Sequence, residues 1–291
     1  MDLAPFRRHV SLCNSLETLE EFVPFRIAGA TVGWLSPEVA RAIAARPGVI
    51  GDGGGLGLAP AAATPAQRTE ALGRLVARLH DEGLIPRLRG EAYDVRAVPG
   101  GPSLATIDRA AIPLFGIAAE GVHVNGLVRG PEGLWLWIGV RARDKTIAPG
   151  KLDTLVGGGI AAGQTARETV RKEAEEEASL PAALAASARP AGRVRYAMAW
   201  EERGQARGMR RDTLHLFDLD LPASVVPRPN DGEVERFELW PVTRVFETVR
   251  ETDAFKFNVA LVLIDLFLRE GLIPPGAAAD GLRASLDRLL P

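Results

Sequence analysis

One glutamate-rich helix, placed directly after a run of glycines, constrains this chain more than any other feature of its sequence. The segment 155–181 reads LVGGGIAAGQTARETVRKEAEEEASLP. Within it, Thr165 and Glu168 have the Thr-x-x-Glu spacing of a capping box, in which each side chain accepts a hydrogen bond from the other residue's backbone N–H group. This pattern predicts that an α-helix begins at Ala166 and runs to Ala178.

Three glutamates of this helix share one face. Glu173, Glu176 and Glu177 stand at spacings i, i+3 and i+4, which places their carboxylates in a narrow sector. They also lie in the last turns, where the helix dipole makes each negative charge unfavourable by about 0.3–1 kcal/mol. A divalent cation would relieve this repulsion, and oxygen-only ligation favours a hard ion such as Mg²⁺ or Mn²⁺. The preceding Gly157 and Gly158 let the backbone bend tightly and offer a carbonyl or an amide to the same site.

The alternative interpretation of the acidic face is a solvated helix laced with ion pairs. Arg167, Arg171 and Lys172 are close enough along the helix to neutralise part of the negative charge. The spacing of the glutamates therefore leaves a metal site and a solvated surface equally open.

The rest of the chain predicts an α/β protein with a small α+β region in front. Alternating residues and turn signals indicate strands after position 119, and helical spacing indicates helices near 166–178 and 254–269. In the N-terminal part we expect a strand or hairpin over 26–35, helices over 37–45 and 65–82, and a flexible surface loop at the glycine-rich 51–57. The predicted division is an N-terminal α+β domain 1–118, a main domain 119–275 and a C-terminal tail 276–291 with one short helix.

Composition narrows the class of protein. The 291 residues carry 35 Lys+Arg and 37 Asp+Glu, so a net charge of -2 gives no electrostatic reason to expect a nucleic-acid partner. The single cysteine, Cys13, excludes an intramolecular disulfide framework. The longest apolar stretch, 259–268, is about half of what a membrane span needs. We therefore expect a cytoplasmic, soluble enzyme without a membrane partner, and a homodimer is possible.

The glutamate-rich segment resembles a Nudix box, whose pattern is G-x5-E-x7-R-E-U-x-E-E-x-G-U, where U is a bulky aliphatic residue. The residues that fall on the pattern are Gly158, Glu173, Glu176, Glu177 and Leu180. Four positions depart from it: Gln164 stands at the first Glu, Lys172 at the Arg, Ala174 at the first aliphatic position and Ser179 at the Gly. Lys172 keeps the charge but lacks the guanidinium fork that orients a carboxylate.

A wider resemblance covers most of residues 20–273. The runs GVHVNGLV, LWLWIGVRARDKTIAPGKLDTLVGGGIAAG and FKFNVALVLIDLFLREG are similar to a Nudix subgroup with an N-terminal extension. That subgroup is related to the Nudix half of fungal proteins fused to thiamine pyrophosphokinase. The resemblance implies a Nudix fold, a mixed β-sheet sandwiched between helices. It also implies Mg²⁺-dependent (or Mn²⁺-dependent) hydrolysis of thiamine diphosphate, or of its oxo and oxy forms, to the monophosphate.

The resemblance also implies roles for particular residues. The metal ligands would be three carboxylates, those of Glu173, Glu176 and Glu177, and one backbone carbonyl, that of Gly157 or alternatively Gly158. The same glutamates and Lys172 would be the catalytic residues, and the general base stays open between Glu177 and Glu235.

Candidate substrate-binding residues lie before and within the box. Three cations precede it and are candidates for phosphate binding: Arg143, Lys145 and Lys151. Gly158 belongs to the same set. His123 and Asn125 share one strand face, and the sequence leaves open whether they face substrate or make structural hydrogen bonds.

Two other functions compete with a thiamine diphosphatase. The first is a Nudix hydrolase for nucleoside diphosphate derivatives such as NADH or ADP-ribose. The second is a non-catalytic ligand-binding protein on a Nudix scaffold, for which Gln164 is the best argument. The intact Glu173, Glu176 and Glu177 argue against loss of catalysis.

Overall fold

Two larger β-sheets and one two-stranded sheet organise the chain, of which the computed structural model describes residues 1–201 and 208–288. The N-terminal elements are α1 Ala4–Cys13, β1 Val23–Ile27, β2 Ala30–Leu35, α2 Pro37–Ala44, β3 Val49–Asp52, β4 Gly55–Leu58, α3 Pro65–Asp81, β5 Ala92–Val95, β6 Ala105–Asp108 and α4 Ile112–Phe115. The remaining elements are β7 Ala118–Gly130, β8 Gly133–Arg141, β9 Leu152–Asp153, β10 Val156–Gly159, α5 Ala166–Ala178, α6 Ala182–Ala185, β11 Arg189–Trp200, β12 Gly208–Asp220, β13 Val234–Pro241, α7 Val242–Glu251, α8 Val259–Arg269 and α9 Ala277–Ser285.

The N-terminal region is built on a four-stranded sheet of order β2-β1-β4-β3. The expected hairpin over 26–35 is confirmed: β1 and β2 pair antiparallel around Ala28 and Gly29, which both have positive φ. Helix α3 is also confirmed, with a complete capping box between Thr64 and Gln67. Helices α2 and α3 close one face of this sheet around a buried cluster that includes Phe25 and Leu72.

The expectation of a flexible loop at 51–57 is wrong. Strands β3 and β4 pair antiparallel there, and Gly53 and Gly54 make the turn with φ of +53° and +86°. The strand β4 also runs parallel to β1, so close that a Cβ on Gly57 would lie 2.8 Å from the Arg26 carbonyl oxygen. The glycines therefore serve a tight turn and a close strand approach rather than flexibility.

The larger sheet has seven strands, with the main order β11-β12-β7-β8-β13. Strand β12 is parallel to β7, and the other neighbours are antiparallel. Helix α5 covers one face, where Val122 and Val124 of β7 contact the buried Val170 and Ala174. Helices α7 and α8 cover the opposite face, so the predicted α/β architecture of a mixed sheet between helices is confirmed.

Two helices that the sequence analysis missed complete the second face. Helix α7 precedes the predicted C-terminal helix, which begins at Val259 instead of near 254. Helix α1 lies against α7 and α8, and its Phe6 ring is 5.1 Å from Phe246 and 6.4 Å from Phe267. The first helix of the chain therefore packs into the core of the larger sheet, against helices that lie more than 200 positions later in the sequence.

No helix within the described residues combines the length and the apolar character that a membrane crossing requires.

Candidate active site

Helix α5 positions the acidic face. Its first turn closes with the predicted capping box, because the Thr165 hydroxyl accepts from the Glu168 amide at 3.2 Å and the Glu168 carboxylate accepts from the Thr165 amide at 2.8 Å. The helix ends at Ser179, which adopts the left-handed conformation with φ of +53°. The helix bounds predicted from the sequence, 166–178, are confirmed.

Three consecutive glycines of β10 each contact a different polar side chain. A Cβ on Gly157 would lie 2.9 Å from the His123 ring, and one on Gly158 would lie 2.5 Å from the carboxyl carbon of Glu173. On Gly159 a Cβ would collide with the Tyr93 hydroxyl. The missing side chains therefore make room for these polar groups next to the backbone.

Glu177 is a buried carboxyl group held by the glycine strand. Its Oε2 atom accepts a hydrogen bond from the Gly157 amide at 3.0 Å, and the residue is 6% exposed. Burial raises the pKa of Glu177 well above its ordinary value, and the nearby charges of Asp153, Glu173 and Glu233 add to the rise. A buried carboxyl group with a raised pKa is a group that gains from a cation beside it.

The Gly157 carbonyl is available to the same site. Within an antiparallel ladder, the N–H and C=O groups of one residue point to the same side. The Gly157 amide turns away from its neighbour β7 and donates to Glu177, so the Gly157 carbonyl also faces away from β7. This orientation supports Gly157 as the backbone ligand that the resemblance implies.

Lys172 joins the other two glutamates of the face. Its Nζ atom lies 3.2 Å from Oε1 of Glu173 and 2.9 Å from Oε2 of Glu176. Burial raises the pKa of Glu173, whereas hydrogen bonding to Glu176 raises the pKa of Lys172. The ammonium group thus occupies a position between two carboxylates that would suit a cation.

The donor set fits a hard divalent ion by its chemistry. It consists of carboxylate oxygens and a carbonyl, the ligands that Mg²⁺ and Mn²⁺ prefer. Within residues 1–201 and 208–288, no group of three or more His, Cys, Asp or Glu side chains converges as a preformed metal cluster. Lys172 neutralises Glu173 and Glu176 in this arrangement, so a metal ion would replace an ammonium contact that already holds two of its ligands.

Glu233 belongs to this neighbourhood and was missed by the sequence analysis. Its charge acts on Glu173 and Glu177, and its Oε2 lies 2.5 Å from Nζ of Lys145. Burial alone would raise the pKa of Glu233, but Lys145, Arg109 and Arg141 hold that pKa below its ordinary value. Glu233 lies directly before β13, about 60 positions after the glutamates of α5. No regular spacing in the sequence therefore connects it with them.

The other candidate general base, Glu235, points elsewhere. Its carboxylate pairs with Arg143 at 3.6 Å and with Arg236 at 3.5 Å. The Arg143 side chain is 85% exposed, and the Lys151 ammonium donates to the Asp253 carbonyl at 2.5 Å. Of the three predicted phosphate-binding cations, the structure brings Lys145 to the carboxylates through Glu233.

The two residues of β7 that the sequence analysis singled out, His123 and Asn125, are buried. His123 shares a 2.8 Å hydrogen bond with the Thr154 hydroxyl, and burial lowers its pKa to about 4. Asn125 donates to Asp218 at 3.0 Å, and Asp218 in turn pairs with Arg269 of α8 at 2.5 Å. The His123 ring packs against Gly157 of β10, and Asn125 connects the sheet to α8 through Asp218 and Arg269.

Further cations reach the site from distant parts of the sequence. The Arg109 guanidinium lies over the Tyr93 ring at 5.8 Å and its charge acts on Glu233, and the Lys256 ammonium lies 4.0 Å from the Asp153 carboxylate. Burial lowers the pKa of Lys256 to about 8, and the positive charges of Arg109 and Arg210 contribute to the lowering. The fold gathers these residues from separate segments, so local spacing could not have grouped them.

Strand β10 with its three glycines (the glycine strand) lies beside helix α5 with its three glutamates. Cations surround them, namely Lys145, Arg109 and Lys256 (the cation rim). These are the groups that a hydrolase of phosphoanhydride bonds requires. Comparisons with known proteins agree with this class. Residues 120–259 match the NUDIX domain, and residues 5–119 match a domain of unknown function, DUF4743.

The relatives extend over nearly the whole chain. The chain is 38% identical to Nudix hydrolase 24, chloroplastic, of Arabidopsis thaliana over 278 residues, which cover 94% of the chain and 75% of the relative. It is 36% identical to Nudix hydrolase 20, chloroplastic, of the same plant over 285 residues, with the same coverage of both proteins. The solved structure of DR0079 from Deinococcus radiodurans has a TM-score of 0.38 and 23% identity, covering 50% of this chain and 80% of that one. The chain belongs to the Nudix hydrolase family.

Proposed function

We propose that this Nudix hydrolase uses a divalent cation, Mg²⁺ or Mn²⁺, to convert thiamine diphosphate or its oxo and oxy forms to the monophosphate and phosphate. The observation that carries the reaction type is the arrangement of Glu177 on the Gly157 amide, with Glu173 over Gly158 on the same strand. The choice of thiamine compounds rests on the sequence similarity of residues 20–273 to the thiamine diphosphatase subgroup.

Glu173, Glu176, Glu177 and the Gly157 carbonyl would hold the cation. When bound, it would neutralise phosphate oxygens and acidify the attacking water. Of the two candidate general bases, Glu177 lies on the Gly157 amide at the glycines of β10, whereas the Glu235 carboxylate pairs with Arg143 and Arg236.

The cations of the rim would bind and orient the diphosphate. Lys256 is 18% exposed at its side chain and remains positively charged below its pKa of about 8. Arg109 reaches the same region from the N-terminal part of the chain and is half-exposed. A flexible anion held at several points loses the freedom that would otherwise slow attack by water.

The test is product analysis with thiamine diphosphate, its oxo and oxy analogues, NADH and ADP-ribose, each with Mg²⁺ and with EDTA. Glu176→Gln and Glu177→Gln remove proposed ligands at nearly constant size. Glu175→Gln is the matched control, because Glu175 is an exposed residue of the same helix that lies outside the acidic face.

Metal-dependent release of thiamine monophosphate, lost in the two ligand variants and kept in the control, is the expected result. Hydrolysis confined to NADH or ADP-ribose would replace thiamine compounds by nucleoside diphosphate derivatives as the substrate class. Binding of one of these compounds without any hydrolysis would favour a ligand-binding member of the family, the alternative for which Gln164 is the argument.

A further inference from the structure

A cavity of about 350 Å³ lies between the N-terminal region and the larger sheet. One side is formed by Val32 and by residues 93–100, and the other by the first residues of β7, by β11 and β12, and by the start of α5. The described lining residues do not include Glu173, Glu176, Glu177 or Glu233. Tyr93 lies between the cavity and the glutamates of the active site, because it lines the cavity while its hydroxyl reaches Gly159 of β10.

The cavity has both apolar and polar walls, and its volume is that of a small-molecule site. Val32 and Val98 contribute apolar surface from the N-terminal side, and Ala119 and Ile160 contribute it from the sheet. These apolar residues offer a surface on which a ring of a small compound can pack.

The carboxylates that line the cavity already have hydrogen-bonding or ion-pair partners. Asp94 pairs with Arg96 at 2.7 Å, and Glu120 pairs with His215 at 2.6 Å. Asp212 accepts from the Tyr196 hydroxyl at 2.5 Å and pairs with Arg210 at 3.0 Å. The lining therefore offers a ligand little uncompensated negative charge.

Arg211 is the cation left over. Its Nη1 atom donates to the Gly116 carbonyl at 3.4 Å, and no carboxylate of the described residues lies within 4.0 Å of its guanidinium. Burial lowers the pKa of Arg211. Arg288, which is exposed, adds a second positive charge at the lining. Among the described residues, the partly buried Arg211 guanidinium therefore has four of its five N–H donors without a partner, and such a group suits an anion.

We propose that this interdomain cavity is a second ligand-binding site, which takes a small organic anion with its ring against the apolar walls and its anionic group on Arg211. This site lies outside the carboxylate centre formed by Glu173, Glu176, Glu177 and Glu233. Ligand binding there would be a function additional to the hydrolysis of a diphosphate.

The experiment is calorimetric titration of the full chain, in EDTA, with AMP as a probe that combines a ring and a phosphate group, and with inorganic phosphate as a probe of the charge alone. Arg211→Gln is expected to weaken AMP binding roughly tenfold or more, since hydrogen bonds to charged groups contribute about 1.5–3 kcal/mol. AMP should bind more tightly than inorganic phosphate, because only AMP covers the apolar walls.

Two exposed valines supply a test that does not disturb the core. Val98 lines the cavity and is 60% exposed, whereas Val226 is 59% exposed and lies outside the described lining. Val98→Asp should weaken AMP binding about fivefold through like-charge repulsion, and Val226→Asp should leave it unchanged. Because Val98 is exposed, this variant tests the site even if Arg211→Gln fails to fold.

Arg109→Gln identifies the competing location for AMP, the rim of the carboxylate centre. If Arg109→Gln weakens AMP binding while Arg211→Gln and Val98→Asp do not, the probe occupies the catalytic cleft and the second site is refuted. Absence of AMP binding to the wild-type chain would refute it as well. Neither result would affect the proposed hydrolysis, which is measured with Mg²⁺ and a different readout.

Discussion

At the scale of single residues, the site depends on the absence of a side chain. Glu173 lies directly over Gly158, so the carboxylate occupies space that any other residue would fill with its own Cβ. A glycine at this position is therefore a requirement of the glutamate's location, and the two residues must be considered together.

Gly158→Ala tests this contact. The new methyl group would lie 2.5 Å from the Glu173 carboxyl carbon and would displace that carboxylate. A shift of about 1 Å at a catalytic group can lower the rate roughly 10²-fold, so we expect a loss of kcat of that order. The measurement is the metal-dependent release of phosphate, together with urea unfolding to confirm that the variant is folded.

Gly73→Ala provides the comparison for that experiment. Gly73 lies in α3, and a Cβ there would have no atom within 4 Å. This substitution should stabilise the protein by about 0.4–1 kcal/mol and leave kcat unchanged. Equal activity of Gly158→Ala and Gly73→Ala would contradict the role assigned to Gly158.

Lys256 gives a pH dependence with a definite sign. Burial lowers its pKa in the folded chain from 10.5 to about 8. Between these two values the unfolded chain keeps a proton that the folded chain has released, so the free energy of unfolding rises with pH across this window. Well below pH 8 Lys256 is protonated in both the folded and the unfolded chain, so it adds no pH dependence to the free energy of unfolding there.

Lys256→Met isolates the effect, because it removes the titrating group from both states. From pH 8 to pH 10, wild-type protein should gain stability relative to the variant by an amount on the order of 1–3 kcal/mol. Urea unfolding of both proteins at the two pH values measures the difference. A difference that does not change between pH 8 and pH 10 would show that Lys256 titrates normally.

At the scale of elements, two helices begin with the same device for different purposes. The capping boxes of α3 and α5 both pair a threonine with a residue three positions later. In α3 the capped helix covers a sheet of the N-terminal region, whereas in α5 it carries the glutamates of the active site. The same local energy therefore has different functional consequences.

Thr165→Ala and Thr64→Ala compare these consequences. Each substitution removes a side-chain cap and should lower the free energy of unfolding by about 1 kcal/mol. Only Thr165→Ala should also lower hydrolysis, because fraying of the first turn of α5 loosens the helix that carries Glu173 and Glu177. Urea unfolding and phosphate release, measured on both variants, test this; equal activity of the two would separate the cap from the site.

The same elements show why local sequence signals predicted part of this structure. The bounds of α5, the hairpin β1–β2 and the paired glycine and glutamate positions follow from interactions between residues near each other in sequence. Glu233, Arg109 and Lys256 enter the site through tertiary contacts, for which the sequence has no periodic pattern. The segment 51–57, expected as a loop, lies in a local hairpin, β3–β4, and its glycine-rich sequence lacks the β-branched residues typical of strands; the parallel pairing with β1, about thirty residues earlier, adds a contact with no local signal.

At the scale of the whole molecule, the order of the chain does not match the order of the cores. The expected N-terminal domain, 1–118, begins with α1, yet α1 packs on the larger sheet with α7 and α8. The remainder of that region surrounds a separate cluster that includes Phe25 and Phe115. Residues of α1 therefore belong to the core of the larger sheet, residues between 25 and 117 form a second core, and later residues complete the core of the larger sheet.

Phe6→Ala tests this arrangement. Phe6 is fully buried against Phe246 and Phe267, so its truncation should cost about 3–5 kcal/mol. Because the loss falls on the core of the larger sheet, amide hydrogen exchange should accelerate in α8, over 259–269. Phe25→Ala, which removes an equally buried ring from the other cluster, should accelerate exchange mainly in β1 and β2. If instead Phe6→Ala accelerated exchange in β1 and β2 and spared α8, α1 would belong energetically to the N-terminal region, and the larger core would be complete without it.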